Sequence, residues 1–264
     1  MNRLDLSRIE AVLTTRTFGR NLVLLPRTGS TNDVAKDLVT QNAPEGTVVL
    51  ADEQTAGRGR MGRHWSAPPG TCLLCSILFR PDLLLTQAQW LTMLCALAAA
   101  DAVDQVAGLQ ASLKSPNDLI VKSSSWKKLA GVLTETGVMG ERLEFVVVGI
   151  GVNVNVAPRD LPALAPDATS ILAETGREVD RATLLAALLA GVETRYTRLQ
   201  AGKSPQSEWA ARLATLGQPV EASTCAGTLT GVAESVDQDG ALLLRAPDGA
   251  LHRLVAGDVT LARL

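Results

Sequence analysis

The sequence predicts an α/β domain over residues 1–216, followed by a small all-β barrel over 217–264. Three observations predict it. Buried-type apolar runs alternate with helical patterns up to about residue 216. After Gly217 the character changes to short strands punctuated by Asp239-Gly240 and Asp248-Gly249, both strong hairpin turns. The composition, 46% hydrophobic and 20% charged over 264 residues, is that of an ordinary globular chain long enough to bury a core.

Each element follows from its local pattern. Residues 4–14 read as a short amphipathic helix, and "NLVLLP" (21–26) as a strand. "GSTNDVAKDLV" reads as a helix start, with Ser30 or Thr31 as the cap and Asp33 in the first turn. "GTVVLADEQ" (46–54) and "TCLLCSILF" (71–79) are buried strands, and Trp90–Val106 has the composition of a helix. "LQASLKSPNDLIV" (109–121) and "KLAGVLTETG" (128–137) read as strands around the polar tip "KSSSWKK". "LEFVVVGIGVNVNV" (143–156) is a long β-branched strand buried on both faces. Residues 157–170, with three prolines, read as a loop; 181–200 and 205–216 read as helices.

Charge and targeting features narrow the function classes. A net charge of −2 argues against general coating of nucleic acid, which needs a basic face. The N-terminus lacks the apolar core of a signal peptide. The longest apolar stretch, around Leu94–Ala100, is too short to span a bilayer. A cytoplasmic location is the expectation. Cys72 and Cys75 spell C-x-x-C, but inside an apolar strand and without a second pair; they read, with Cys95 and Cys225, as core thiols.

"GRGRMG" (57–62) matches the glycine spacing of a dinucleotide-binding turn. Such a turn must enter a helix at once, and "RHWSAPPGT" with its two prolines forbids one. What remains is a basic glycine loop. Between Gln54 and Pro81 there are four arginines, one histidine and no acid. Two readings stay open for it: a solvated mobile loop, or a cover whose arginine forks meet phosphate or carboxylate. The same holds elsewhere. "KSPNDL" is either a turn or a polar cluster. The lysine of "KLAG" either snorkels or faces a site. The "GIGVN" glycines mark either sheet packing or close approach of a ligand. "STN" either caps a helix or binds. Trp126, on the tip, either meets a partner or folds back onto the sheet.

Taken in order, "GSTN", "EQTAGRGRMGRHW", "KSPND", "KKLAGVLTE" and "GIGVNVN" resemble the biotin–protein ligases, or biotin–[acetyl-CoA-carboxylase] ligases. The motifs cover residues 25–156, and the layout extends the likeness to the C-terminus. The resemblance implies a class II synthetase-like mixed-sheet catalytic domain, shared with lipoate ligases, and a C-terminal SH3-like barrel. It implies ATP and biotin as substrates, with Mg²⁺ expected and its ligands unassigned. The product would be biotin on a specific lysine of a biotin carboxyl carrier domain, formed through biotinyl-5′-AMP.

The resemblance also assigns residues. Ser30, Thr31, Asn32 and Gln54 would hold the biotin ureido ring, with Arg58, Gly59, Arg60, Lys128 and Gly131 completing the biotin site. Arg60, Arg63, Trp65, Lys114, Asn117 and Asn153 would bind the adenylate, Asn117 reading the adenine. Lys128, Arg58 and Arg60 would supply catalytic positive charge, and Asp118 the base for the incoming lysine. One departure stands out: Ser115 replaces the tryptophan of the family's K-W-P-N-D pattern. Fewer than 30 residues precede "GSTN", which leaves no room for a DNA-binding winged helix, so no DNA partner is expected. No membrane is expected, and a monomer or homodimer is. Two rivals are a lipoate or octanoate transferase and a binding sensor without turnover.

Overall fold

A computed structural model describes residues 3–224, 227–254 and 258–261. Its first sheet has seven strands: β1 (Leu22–Leu25), β2 (Val48–Ala51), β3 (Cys72–Phe79), β4 (Ser112–Lys114), β5 (Asp118–Lys122), β6 (Trp126–Met139) and β7 (Arg142–Asn153). Their order is β1-β2-β3-β7-β6-β5-β4. Only β1 and β2 run parallel; the other neighbours are antiparallel, so the sheet is mixed.

Alternation along the strands decides what each face carries. One face presents Val48, Leu50, Leu73, Ile77, Phe79, Val146, Val148, Ile150 and Val152 to the main core. Helices α3 (Ala88–Ala107) and α5 (Arg181–Gln200) pack there against each other and the sheet. The other face carries Val49, Leu78 and Val147 under α2 (Thr31–Thr40). β3 and the middle of β7 are therefore buried on both sides, as their unbroken apolar runs require. Cys72 and Cys75 point to opposite faces of β3, into different clusters, so they share no metal site. Burial pushes both thiols up, to about 11 and about 12. Cys225 lies outside the described residues.

Several elements differ from the sequence expectations. The run 109–121 is not one strand but a hairpin: β4 and β5 turn at Ser115–Asn117, pairing Lys114 with Asp118. Here the turn chemistry of Pro-Asn-Asp overrides the apolar pattern. Ser30 takes the N-cap position of α2 but makes no side-chain capping bond. The loop 157–170 contains a short 3₁₀ turn (Leu161–Ala163) and leads into a small helix, α4 (Ile171–Thr175). A helical stretch over Leu85–Ala107 is long and apolar enough by composition to cross a bilayer, contrary to expectation, but 72% of its most apolar window is buried in the core.

The C-terminal unit is a five-stranded antiparallel sheet, β8 (Pro219–Thr224), β9 (Gly227–Val236), β10 (Leu242–Arg245), β11 (Leu251–Leu254) and β12 (Asp258–Leu261). The order is β11-β10-β9-β8-β12 around a small core of Val220, Ala222, Ala233, Leu242, Leu244 and Val259. Gly240 and Gly249 hold φ +87 in the two expected hairpin turns. Helix α6 (Gln206–Ala211) and the linker join this unit to the first. Leu216 and Val236 pack against both cores.

Candidate active site

The site lies on the α2 face of the large sheet, where residues alternate with the core positions. Cross-strand register sets out its floor in rows. One row runs Leu78, Val147, Glu135; the next Ser76, Gly149, Leu133; the next Leu74, Gly151, Gly131, Asp118, Lys114. Successive rows are two residues apart, about 7 Å. Glycine at the centre of the lower rows opens a trough in a sheet that is otherwise covered.

Two side chains occupy the space these glycines leave. A Cβ at Gly149 would stand 2.3 Å from Asn32 Oδ1. A Cβ at Gly151 would stand 2.7 Å from the Trp65 indole, and one at Gly131 3.3 Å from it. So Gly131, expected in the biotin site, and Gly151, one of the "GIGVN" glycines, here seat the tryptophan. The Trp65 Nε1 is buried with no hydrogen-bond partner among the described residues.

The upper end of the trough is a chain of polar groups. Gln54 Oε1 accepts from the Thr31 N–H at 2.7 Å and lies 3.1 Å from the Thr31 hydroxyl. Buried Ser76 Oγ stands 2.7 Å from Thr31 Oγ1 and 2.6 Å from Asn32 Oδ1. The Asn32 amide donates to Glu135 Oε2 at 2.7 Å. Beyond it lies a four-charge cluster. Arg58 forks onto both Asp33 oxygens at 2.5 and 2.7 Å and reaches Glu135 at 3.2 Å. Lys36 bridges Asp33 at 3.1 Å and Glu135 at 2.8 Å. The hydrogen bond from Arg58 holds the Asp33 carboxyl down, to about 2. Burial pushes Glu135 up, but hydrogen bonds from Lys36 and Asn32 and the nearby cations outweigh it, and the net direction is down. All four groups are charged at neutral pH.

The lower end holds the second charge cluster. Lys128 Nζ lies 2.7 Å from Asp118 Oδ1, and Lys114 Nζ lies 4.0 Å from Asp118 Oδ2. Lys128 also stands over the Trp65 ring, 5.8 Å from its centroid. Its backbone is held from the far side: its N–H donates to Asp167 O at 2.6 Å, and its C=O accepts from Thr169 at 2.8 Å. Asn117 donates to Val132 O at 2.8 Å, fixing its amide beside the β4–β5 turn. Asn153 is buried, donating to Thr169 O at 2.9 Å while its carbonyl faces the Cys72 thiol.

The basic glycine loop closes the trough from above as a small hairpin, not a helix entrance. Arg58 and His64 pair across it, and the Gly59 N–H donates to Arg63 O at 2.7 Å. Met61 and Gly62, at φ 54 and 74, make the tip left-handed. Its return strand is anchored through Asp52: the Gly70 N–H donates to Asp52 O, and fully buried Arg181 pairs with Asp52 Oδ1 at 2.8 Å.

Every residue that the resemblance assigns to the biotin, adenylate or catalytic site lines one cavity of about 510 Å³. That is within the usual range for a small-molecule site. The structure adds what the sequence did not reveal. Arg58, expected at a ligand anion, is engaged by Asp33 and Glu135. Leu164, Ala165, Asp167 and Ala168 of the proline loop form one wall. No sequence signal marks that wall, because its role comes from pairing with Lys128. Glu135 was legible in principle, being on the same strand face as Gly131 and Leu133.

Comparison with known proteins agrees with this geometry. Residues 24–153 match the model of the biotin/lipoate A/B protein ligase family, and residues 215–261 match the biotin protein ligase C-terminal domain. The chain is 38% identical over 233 residues to the biotin–[acetyl-CoA-carboxylase] ligase of Paracoccus denitrificans, covering 86% of this chain and 95% of that one. It is 36% identical over 262 residues to the bifunctional ligase/repressor BirA of Bacillus subtilis, covering 98% of this chain and 79% of that one. The biotin protein ligase of Aquifex aeolicus, solved in complex with biotin and ATP, superposes with a TM-score of 0.75 at 28% identity, over 93% of this chain and all of that one.

Proposed function

The chain belongs to the biotin protein ligase family, and from that premise we propose that its cavity activates biotin with ATP and passes it to a lysine of a biotin carboxyl carrier domain. The observation that carries this reading is the lower cluster: Lys128 held 2.7 Å from Asp118, beside a glycine-floored trough and under an arginine loop.

In the first step a carboxylate oxygen of biotin attacks the α-phosphorus of ATP. The bond to the β-phosphate oxygen breaks, and pyrophosphate leaves with the electron pair. Two anions must meet, so positive charge fixed beforehand is the main catalytic resource. Lys128 and Lys114 supply it from the sheet, and Arg60 and Arg63 from the loop. Arg58 sets the root of the loop through Asp33 and Glu135. Trp65, seated on Gly131 and Gly151 beside Lys128, is placed to pack against the adenylate. Asn117 serves the adenine, and Ser30, Thr31 and Gln54 the ureido ring.

In the second step the carrier's lysine amine attacks the acyl carbon, and AMP leaves with the acyl–phosphate oxygen. An unperturbed lysine, with a pKa of about 10.4, is almost wholly protonated at neutral pH. Asp118 accepts its proton. Among the described residues no three of His, Cys, Asp and Glu form a metal-binding group. Mg²⁺ would accordingly be held by the ATP phosphates rather than by a cage of these side chains. The need for ATP and an apo-carrier supports a cytoplasmic setting for the reaction.

The test is biotin-dependent exchange of labelled pyrophosphate into ATP. Exchange by the parent, and a loss of about 100- to 1000-fold in Lys128→Ala, are expected. A silent parent overturns the function, and a near-normal variant overturns the role of Lys128.

A further inference from the structure

The four-charge cluster at the upper end of the trough enters the steps above only as the root of the loop. We propose that Glu135 is a positioning residue for the biotin end of the site, acting through Asn32 and Arg58; this rests on the function proposed above.

The Asn32 amide is fixed in one orientation. Its Nδ2 donates to Glu135 Oε2 at 2.7 Å and to Leu133 O at 3.3 Å, while its Oδ1 lies 2.6 Å from Ser76 Oγ. Flipping the amide would set its oxygen against a carboxylate and a carbonyl, neither of which has a proton to give. The amide has no room to swing aside, because it fills the space over Gly149. Both N–H groups are thus spent, and Asn32 has only acceptor capacity left. An acceptor is what a ureido N–H needs. Glu135 therefore decides which hydrogen-bonding character this corner presents.

The same carboxylate holds the loop. Arg58 reaches Glu135 at 3.2 Å while forking onto Asp33, which ties the glycine loop to α2 and β6 together. Lys36, 2.8 Å from Glu135, balances the count at two cations and two anions. With one cation withdrawn, the half-buried carboxylate would be held less firmly against Asn32, so the balance is part of the positioning.

Glu135→Gln keeps the shape and removes the charge. Its amide cannot accept from Asn32, Lys36 and Arg58 together without turning its own N–H₂ toward one of them. The expected result is a KM for biotin raised about tenfold, the loss of a charge-assisted contact or two. The KM for ATP, measured at saturating biotin, stays within about twofold. A merely structural role would move both constants together or neither, and either result overturns the proposal. Lys36→Met is the second variant, since it leaves Asn32 and Arg58 intact. It is expected to raise the biotin KM less than Glu135→Gln, and the double variant to fall short of the product of the two. Should Glu135→Gln fail to fold, Lys36→Met decides alone: an unchanged biotin KM overturns the proposal. A parent silent in biotin-dependent exchange overturns the proposed function and this inference with it, whereas an active parent with unresponsive variants overturns only the inference.

Discussion

Ser115 stands where the family pattern has a tryptophan, and the structure shows what has taken up the change. It is 3% exposed, and its N–H donates to Thr215 Oγ1 at 3.2 Å, with Thr215 itself fully buried. The linker into the C-terminal unit runs alongside: the Leu113 N–H donates to Arg212 O, and the Ala214 N–H to Leu113 O. The space is closed by chain, not left as a gap. Ser115→Trp must displace that packing, at a cost of about 1–3 kcal/mol. The expected outcome is a lower melting temperature with and without biotin; a variant more stable than the parent in both would contradict this packing. At this scale the kinds of residue in the site were legible, since arginines, lysines and amides in a short ordered set state their chemistry. Their partners were not. Asp33 and Glu135 lie 25 and 77 residues from Arg58, and only the fold brings them to it.

The glycine loop works as an element with a clamped root and a basic, left-handed tip. Its root is clamped by Arg58 to Asp33, and its return by Asp52 and Arg181. Under the proposed function the tip, Arg60–Gly62, would meet the anionic groups of ATP and biotin. Tryptic cutting at the loop arginines is expected to slow when both substrates are added; equal cutting with and without them contradicts a covering role. The clamp also has a pH signature. Asp33 is held at about 2 against an ordinary 3.8, so its contribution is present above about pH 4 and is lost as the pH falls toward 2. Asp33 is half exposed, and solvent keeps the effect modest. In melts across pH, Asp33→Asn is expected to lie below the parent at neutral pH and to converge on it below pH 4. A constant gap would count against the clamp. Elements were the most legible level of the sequence, because periods of two and 3.6 residues survive without knowledge of the fold. The exceptions were 109–121, where an apolar run hid a turn that Pro116 and Asn117 announced, and 205–216, whose helix stops at Ala211.

Across the whole molecule, the C-terminal unit is docked, not tethered. The Trp90 indole N–H of α3 donates to Gln238 O at 3.0 Å, and Gln206 donates to Val236 O and Asp237 O at 3.2 Å. The turn at Gly240 lies against α3: a Cβ there would meet Met93 Cε at 1.9 Å, so the end of that side chain would have to shift. The neighbouring Gln89 on α3 donates to Pro116 O at 3.1 Å, in the turn that carries Asn117. The C-terminal unit thus braces the turn that carries Asn117 through one helix. Gly240→Ala combines this collision with a left-handed backbone, which alone costs about 1–2 kcal/mol. A lower melting temperature and a raised KM for ATP are expected; an unchanged ATP constant would limit the barrel to stability. That docking was invisible in the sequence, which marks the turn glycine but not what lies against it.

Transfer of biotin to protein through an adenylate is read from the mass of a carrier. The full chain is incubated with ATP, Mg²⁺, biotin and an apo biotin carboxyl carrier domain, with parallel mixtures lacking ATP or holding lipoate in place of biotin. The expected result is a mass gain of one biotinyl group on the carrier lysine, dependent on ATP and absent with lipoate. A carrier whose mass does not change, while the protein still binds biotin, would contradict the claim and leave a binding protein without turnover.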